Sequence, residues 1–419
     1  MNRKTVVIIG GGMAGLVAAR MLIANFNVIL LEASSEFGGR IKTLKDSNFS
    51  CAVEEGAEFV HGEAHETMQL LKEADLKLSE ADGTFYKKNQ DELLPQIGMI
   101  EGWDDFLHLL CSAKEDHTLG HFLDANYGAE QHIELRRQAV DFAEGFDLAD
   151  VDKVSAKSLY QEWVNTGNDY RINGGYGKLI DYLVNDCKLK GCQLFTNVPV
   201  EDLFWTFQSV QVITANTREV YNADFSLITA SLGALHHQSG INFHPPIPHY
   251  IDHLKNIGFG TVIKVVLEFE YIFWKDDAGF IFSEEVIPTW WTQLPAQFPI
   301  LTGWKGGPEV LNLKDHSEEQ LLNIALNSVS SIFNISIDEL RHHLVASKVF
   351  NWQNEPYVYG AYSYATTETA AALVVLNKSI EDTIFFAGEG YYSGLHPGTV
   401  EAAIVSAKET AERLNRLVD

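Results

Sequence analysis

The sequence predicts a mixed α/β protein (α/β with α+β character), in which a Rossmann-like dinucleotide-binding core is joined to a second lobe of sheet plus helix. Three observations point there. An apolar run from Thr5 to Ile9 leads into Gly10, Gly12 and Gly15, then an alanine-rich helical stretch from Leu16 to Asn25, then a second apolar run from Val28 to Leu31. A chain of 419 residues, 46% of them hydrophobic, exceeds what one core usually serves, so two lobes are expected. Between Gly258 and Trp274 the stretch GFGTVIKVVLEFEYIFW reads as a long half-buried strand belonging to the second lobe.

The first segment has the order strand, glycine turn, helix, strand. Gly10 permits the tight turn, Gly12 lets a pyrophosphate approach the backbone, and Gly15 lets helix pack on strand; Met13 and Ala14, within the glycine motif, are counted with them as cofactor-binding, and the amides of the helix N-terminus face the anion. Glu32 ends the second strand about 20 residues on, where an acid hydrogen-bonds a ribose diol. It opens EASSEFGGRIKT, in which Gly38 and Gly39 permit a second close backbone approach and Arg40 supplies a guanidinium suited to phosphate. A nicotinamide enzyme needs no second phosphate loop there. Near the other end, IFFAGEG (Ile384 to Ala387, then Gly388 and Glu389) reads as a strand and turn. After a loop, PGTVEAAIVSAKETAERL reads as an amphipathic helix with Gly398, Thr399 and Val400 at its start, whose free amides suit an electron-rich ring oxygen.

Composition narrows the partners. A formal net charge of -26 argues against nucleic-acid phosphate and favours cationic small molecules. Cys51, Cys111, Cys187 and Cys192 fit neither a disulfide framework nor a zinc spacing, so a reduced cytoplasmic setting is expected, and no metal. The N-terminal apolar run passes straight into the glycine turn and reads as a first strand, not a targeting segment. No stretch approaches about 18 consecutive apolar residues, and RLNRLVD carries no hydrophobic tail, so a soluble protein without a membrane anchor is expected. Oligomeric state is left open.

Within GFGTVIKVVLEFEYIFW, alternation puts Ile263, Val265, Leu267 and Phe269 on one face and Val262, Lys264, Val266 and Glu268 on the other. Lys264 then sits between two valines. An unpaired buried charge costs several kcal/mol or loses its proton, so this lysine either reaches solvent or enters a functional cavity.

GGGMAGL, EASSEFGGR, GAEFVHG, INGGYGKL, GFGTVIKVVLEFEYIFW, WQNEPYVYGAYSY and FAGEGYYSGLHPGTVEAA follow in this order along essentially the whole chain. In these segments the sequence resembles the flavin-containing amine oxidases, the group of monoamine oxidases, polyamine oxidases and lysine-specific histone demethylases. It resembles a short bacterial-type form, without the helical tower, the extra N-terminal domain or a membrane anchor. The resemblance implies an FAD-binding domain assembled from 1–62, 172–241 and 352–419, interleaved with a substrate domain from 63–171 and 242–351. Residues 64–165 are helix-patterned, and a further helix is expected from Glu318 to Phe333.

The resemblance also assigns roles. Lys264 would hold a water against the flavin, Tyr362 would be one ring beside the substrate nitrogen, Trp352 would lie beside the flavin, and His61 would face the substrate. Glu58 and Phe59 would meet the flavin ring through their backbone, Val198 would contact adenine, and Gly388, Glu389, Thr399 and Val400 would close on the cofactor. The second ring of the monoamine oxidases falls at Thr399, leaving the aromatic cage half open. Ala361 stands where those enzymes carry the cysteine that bonds flavin, so FAD is expected to be noncovalent. Glu63 and Glu66 read as a solvated charged face.

The implied activity is oxidation of a primary or secondary amine, polyamine-like or monoamine, to an imine that hydrolyses, with O2 reduced to hydrogen peroxide. An L-amino-acid oxidase or a protoporphyrinogen- or carotenoid-type desaturase is the alternative enzyme. No arginine matches the one amino-acid oxidases need for a substrate carboxylate, and desaturases are not expected to keep Lys264 and Tyr362. A non-catalytic flavin-binding partner or redox sensor is the alternative of another class.

Overall fold

Thr5–Ile9 is the middle strand of an all-parallel five-stranded sheet in the computed structural model, which describes residues 3–44, 48–96, 98–165, 167–237 and 240–418. The order across this sheet is Gln193–Phe195, Asn27–Leu31, Thr5–Ile9, Phe225–Ile228, Ile384–Phe386. Val6, Val7 and Ile8 are all fully buried, because layers cover both faces of such a sheet. On one face Val6 and Ile8 pack with the helices Met13–Leu22, Gly177–Leu189 and Val400–Asn415. On the other, Val7 and Ile9 meet a four-stranded sheet (Val220–Ala223, Ser209–Thr214, Val200–Thr206, Asn242–His244) and the helix Pro248–Leu254.

The first helix starts at Met13, three residues before the expected Leu16, and stops at Leu22. It can start early because Leu16 N–H already reaches Gly12 O at 3.0 Å, and Phe26 closes a turn back onto Leu22.

A second sheet of seven strands runs Leu344–Asn351, Val262–Phe269, Ile300–Gly306, Thr289–Trp291, Ala278–Phe282, Thr84–Asn89, Glu92–Pro95. Here the Lys264 segment departs from expectation twice. It is two strands, Ile257–Phe259 and Val262–Phe269, because the chain leaves its pairing with Ser363–Ala365 at Gly260 before entering the larger sheet. The second piece is buried along its whole length rather than on one face. Ile263, Val265, Leu267 and Phe269 pack beneath the helix Glu318–Phe333, while Val262 and Val266 pack with Trp352 and Ala361.

The described residues of 64–165 do form five α-helices, His65–Glu73, Trp103–Ser112, Leu119–Tyr127, Ile133–Gly145 and Ala156–Val164, with a short 3-10 turn at Glu130–His132. They also form three strands absent from the sequence reading, Leu78–Glu80, Thr84–Asn89 and Glu92–Pro95. The last two extend the large sheet at its edge, where charged and exposed side chains blur the alternation that marks a strand. The chain thus passes back and forth between the two sheets. Among the described residues, no helix is long and apolar enough to cross a membrane.

Candidate active site

One cavity of about 2740 Å³ runs from the glycine turn of the parallel sheet to the inner face of the seven-stranded sheet. Every site residue named from the sequence lines it except Gly15, which lies behind the turn. A Cβ on Gly15 would stand 2.0 Å from Gly10 O, so only glycine lets the helix pack this close to the strand. At Gly12, by contrast, a Cβ would meet only Gly38 O at 3.7 Å and would fill the cavity itself. No side chain caps this end of the Met13–Leu22 helix, so its first amides remain for a ligand anion.

Glu32 closes the same end. Its carboxylate accepts from Gly11 N–H at 2.6 Å and Ser34 N–H at 2.8 Å, tying the glycine turn to the end of the second strand. Each oxygen keeps a second lone pair, which suits a sugar hydroxyl. Val198 lines this region, but its N–H is committed to Glu32 O at 2.9 Å, so an adenine contact there would use its carbonyl.

Arg40 donates to Ala361 O at 2.7 Å and to Glu389 Oε1 at 2.5 Å, while Glu389 Oε2 accepts from Ser363 N–H at 3.2 Å and from its hydroxyl. The second glycine loop, the Tyr362 strand and the Gly388–Glu389 turn are thereby fastened together. Arg40 uses one nitrogen of three for this, leaving donors for phosphate. Thr399 caps the helix Val400–Asn415 by accepting from Ala402 N–H at 3.1 Å.

These groups suit a flavin dinucleotide: uncapped amides and glycines for the pyrophosphate, an acid for the ribose, and at the far end Trp352, Tyr362 and Lys264. Trp352 is held by its indole N–H on Glu55 O at 2.9 Å, and Tyr362 by its hydroxyl on Phe146 O. Ala361, beside Tyr362, offers no thiol for a covalent link.

Lys264 is 1% exposed, yet it is not relieved by the cavity alone as the sequence reading supposed. Its Nζ donates to Glu58 Oε2 at 2.8 Å and Gly56 O at 3.2 Å. Glu58 Oε1 in turn accepts from Arg171 Nε at 3.0 Å and Trp291 Nε1 at 2.9 Å. Burial pushes the Glu58 carboxyl up, but the charges of Lys264 and Arg171 outweigh it and hold it at about 2. Sequence reasoning assigned Glu58 only a backbone role and passed over Arg171. The two meet because Phe59 pairs with Arg171 across the Phe59–His61 and Asp169–Ile172 strands, a register that no local pattern reveals.

His61 lies at the cavity surface, its side chain 54% exposed and its Nδ1 2.8 Å from Asp169 Oδ1. Glu63 is exposed, while Glu66 pairs with Lys408 at 2.5 Å. Unforeseen in the sequence is an acid pair lining the cavity near Tyr362. Asp147 accepts from Trp163 Nε1 at 3.0 Å and Glu162 from Ser158 Oγ at 3.2 Å. Burial pushes Asp147 up to about 7 against the pull of Trp163; burial and then the charge of Asp147 push Glu162 up to about 8. Burial, with these two acids, also raises the Tyr362 phenol well above its ordinary value.

The family model described as "Flavin containing amine oxidoreductase" matches residues 13–415. The chain belongs to that family. Its cofactor is FAD and its enzymes are oxidoreductases acting on amines. Among curated relatives, polyamine oxidase 4 of Oryza sativa subsp. japonica is 24% identical over 98% of this chain and 89% of its own length. Lysine-specific histone demethylase 1 homolog 3 of Arabidopsis thaliana is 25% identical over 99% of this chain, which spans only 30% of that protein. Among solved structures, putrescine oxidase bound to putrescine superposes with a TM-score of 0.82 at 19% identity, covering 99% of both chains. Cyclohexylamine oxidase from Brevibacterium oxydans IH-35A gives 0.81 at 17% identity, again over 99% of both. These two show that the fold is shared.

Proposed function

We propose that the protein oxidises a primary or secondary amine, of polyamine or diamine type, to an imine that hydrolyses, with O2 as acceptor and hydrogen peroxide as product. The observation that carries this reading is the convergence of Lys264, Tyr362 and Trp352 on the same cavity as the glycine turn and Glu32. Bound FAD would supply the two-electron acceptor for the amine's carbon–nitrogen bond.

The chain's own residues do the rest. An ammonium has no lone pair to assist oxidation, so the reacting nitrogen must be neutral. The rings of Tyr362 and Trp352 present an apolar wall that favours the free base, each unit of pKa depression being worth about 1.4 kcal/mol. Lys264 offers an N–H donor beside that wall. A diamine or polyamine carries a second nitrogen that stays charged, and Asp147 with Glu162, largely protonated in the empty cavity near neutral pH, would ionise beside that cation and supply negative charge for it within the same cavity. That acid pair favours a polyamine-like substrate over a monoamine, and the net charge of -26 favours cations in general. The two-domain division drawn above and a cytoplasmic setting belong to the same proposal, the latter supported by four free cysteines.

The test is direct. Purified protein should be yellow, release its flavin on acid or heat treatment, and bleach anaerobically with its substrate. Peroxide release should then be screened across putrescine, spermidine, spermine, N-acetylated polyamines, aromatic monoamines and amino acids. A colourless protein that binds no FAD, or one bleached only by amino acids, overturns the proposal.

A further inference from the structure

The Val262–Phe269 strand is hydrogen-bonded on both sides, with Lys264 opposite Trp304 in one neighbour and Phe350 in the other. Its backbone cannot shift to bring the lysine to solvent. A buried ammonium in this position needs a carboxylate or it sheds its proton. Glu58 is that carboxylate, and it is itself fixed. Arg171, which grips Glu58 through Nε, donates its other nitrogens to Leu294 O at 2.7 Å and Thr292 O at 3.0 Å. The Arg171 guanidinium also lies over the Phe59 ring at 4.6 Å, and the Lys264 ammonium lies 5.6 Å from the Trp291 ring. An ammonium has three N–H donors. Two are spent on Glu58 and Gly56, so the third is the one left for the cavity.

We propose that Glu58 is a positioning residue for Lys264: its carboxylate keeps the side chain as an ammonium and fixes which N–H remains, so that Lys264 serves the flavin site as a hydrogen-bond donor and not as a base. This rests on the flavin-site reading above. Two cations, Lys264 and Arg171, share the one carboxylate of Glu58.

The other ionisable groups around Lys264 are few. Glu54 is buried nearby, with its carboxyl pushed up to about 7 by burial against the bonds from Tyr176 N–H and the Thr43 hydroxyl. Glu268, on the same strand face, accepts from Ser50 N–H, and the Cys51 thiol is pushed up to about 11 by burial and then by the charges of Glu268 and Glu58. Tyr362 lines the same cavity. Glu54 is lowered by the charge of Lys264 and raised by that of Glu58, so its own transition moves from variant to variant but persists in all of them; a feature belonging to Lys264 is recognised because it vanishes in the double variant.

The experiment uses the flavin-loaded protein with Glu58→Gln, Glu58→Asp, Lys264→Met and the Glu58→Gln/Lys264→Met double variant. Two readouts are followed from about pH 6 to about pH 10, the range in which an unpaired buried ammonium loses its proton. One is the visible spectrum of the oxidised flavin, and the other is the rate of reoxidation by O2 after reduction with dithionite, which contains no amine. In Glu58→Gln the spectrum should titrate. Its rate should fall by roughly tenfold or more with rising pH, from near the parent value to that of Lys264→Met. Glu58→Asp should restore the parent profile in part, and the double variant should show no such transition.

A Glu58→Gln profile parallel to the parent, or the same transition in the double variant, overturns the inference. So does loss of flavin from both Glu58 variants while Lys264→Met retains it, because Glu58 would then serve folding alone. A parent protein that binds no flavin would instead overturn the underlying functional reading.

Discussion

Replacing Asp147 by Asn tests the acid pair through stability and through substrate choice, and the two readouts have different causes. The Asp147 carboxyl is pushed from an ordinary 3.8 up to about 7 by burial, so the folded protein binds a proton there that the unfolded chain has already released. A carboxyl raised in the folded state costs stability progressively as pH rises from about 4 to about 7, and the full cost persists above that. Three units at 1.36 kcal/mol each would give about 4 kcal/mol, but the group borders an open cavity and water screens it, so about 1 to 2 kcal/mol is expected. Asp147→Asn should therefore gain on the parent as pH rises, melting close to it near pH 4 and well above it near pH 8, as should Glu162→Gln, whose carboxyl is raised to about 8. In kinetics, the lost charge should lower kcat/KM for putrescine or spermidine by roughly 10- to 100-fold, the 1.5 to 3 kcal/mol of a charged hydrogen bond, and leave an aromatic monoamine nearly unchanged. A stability difference independent of pH, or an equal loss for diamine and monoamine, would refute the reasoning.

Three further outcomes are expected. Glu32→Ala strands the Gly11 and Ser34 amides and removes the acid at the ribose end, so flavin retention should weaken by roughly 1.5 to 3 kcal/mol; undiminished flavin absorbance after dialysis contradicts this. Gly15→Ala should lower the melting temperature of the apoprotein because its Cβ would sit 2.0 Å from Gly10 O. Gly12→Ala, whose Cβ meets only Gly38 O at 3.7 Å, should fold normally yet load no flavin; equal behaviour of the two variants would count against the cleft. Tyr362→Phe loses the bond to Phe146 O, worth about 1 kcal/mol of stability, but keeps the ring; a collapse of kcat would show that the hydroxyl, not the ring, matters.

The parts legible in the sequence are those whose signal is local. Thr5–Ile9, the helix after it and Asn27–Leu31 follow from contiguous runs and three glycines, and Glu318–Phe333 from a 3.6-residue period behind a Ser317 cap. Thr84–Asn89 and Glu92–Pro95 were not legible, because the first is tied into the sheet by residues near 280, almost 200 positions away, and the second is an edge strand held by the first alone. The continuity of the Lys264 strand was over-read for a related reason. Gly260 takes part in hydrogen bonds with Ala361 and Tyr362, and no pattern within 258–274 records that partner.

The same distinction divides the site. Alternation put Lys264 between two valines, which are indeed buried, but left open whether the lysine reaches solvent or enters a cavity. It could not say what answers the charge. That required the Phe59–His61 strand, the Asp169–Ile172 strand and the Thr289–Trp291 strand to converge, since Glu58, Arg171 and Trp291 come from three separate parts of the chain. A cavity wall of valine and tryptophan alone would leave a buried ammonium without a counter-charge. A carboxylate at 2.8 Å, itself held at about 2, supplies one. The chemistry open to the lysine therefore depends less on its own strand than on a glutamate more than 200 residues away, and replacing that glutamate, rather than the lysine, separates donor from base.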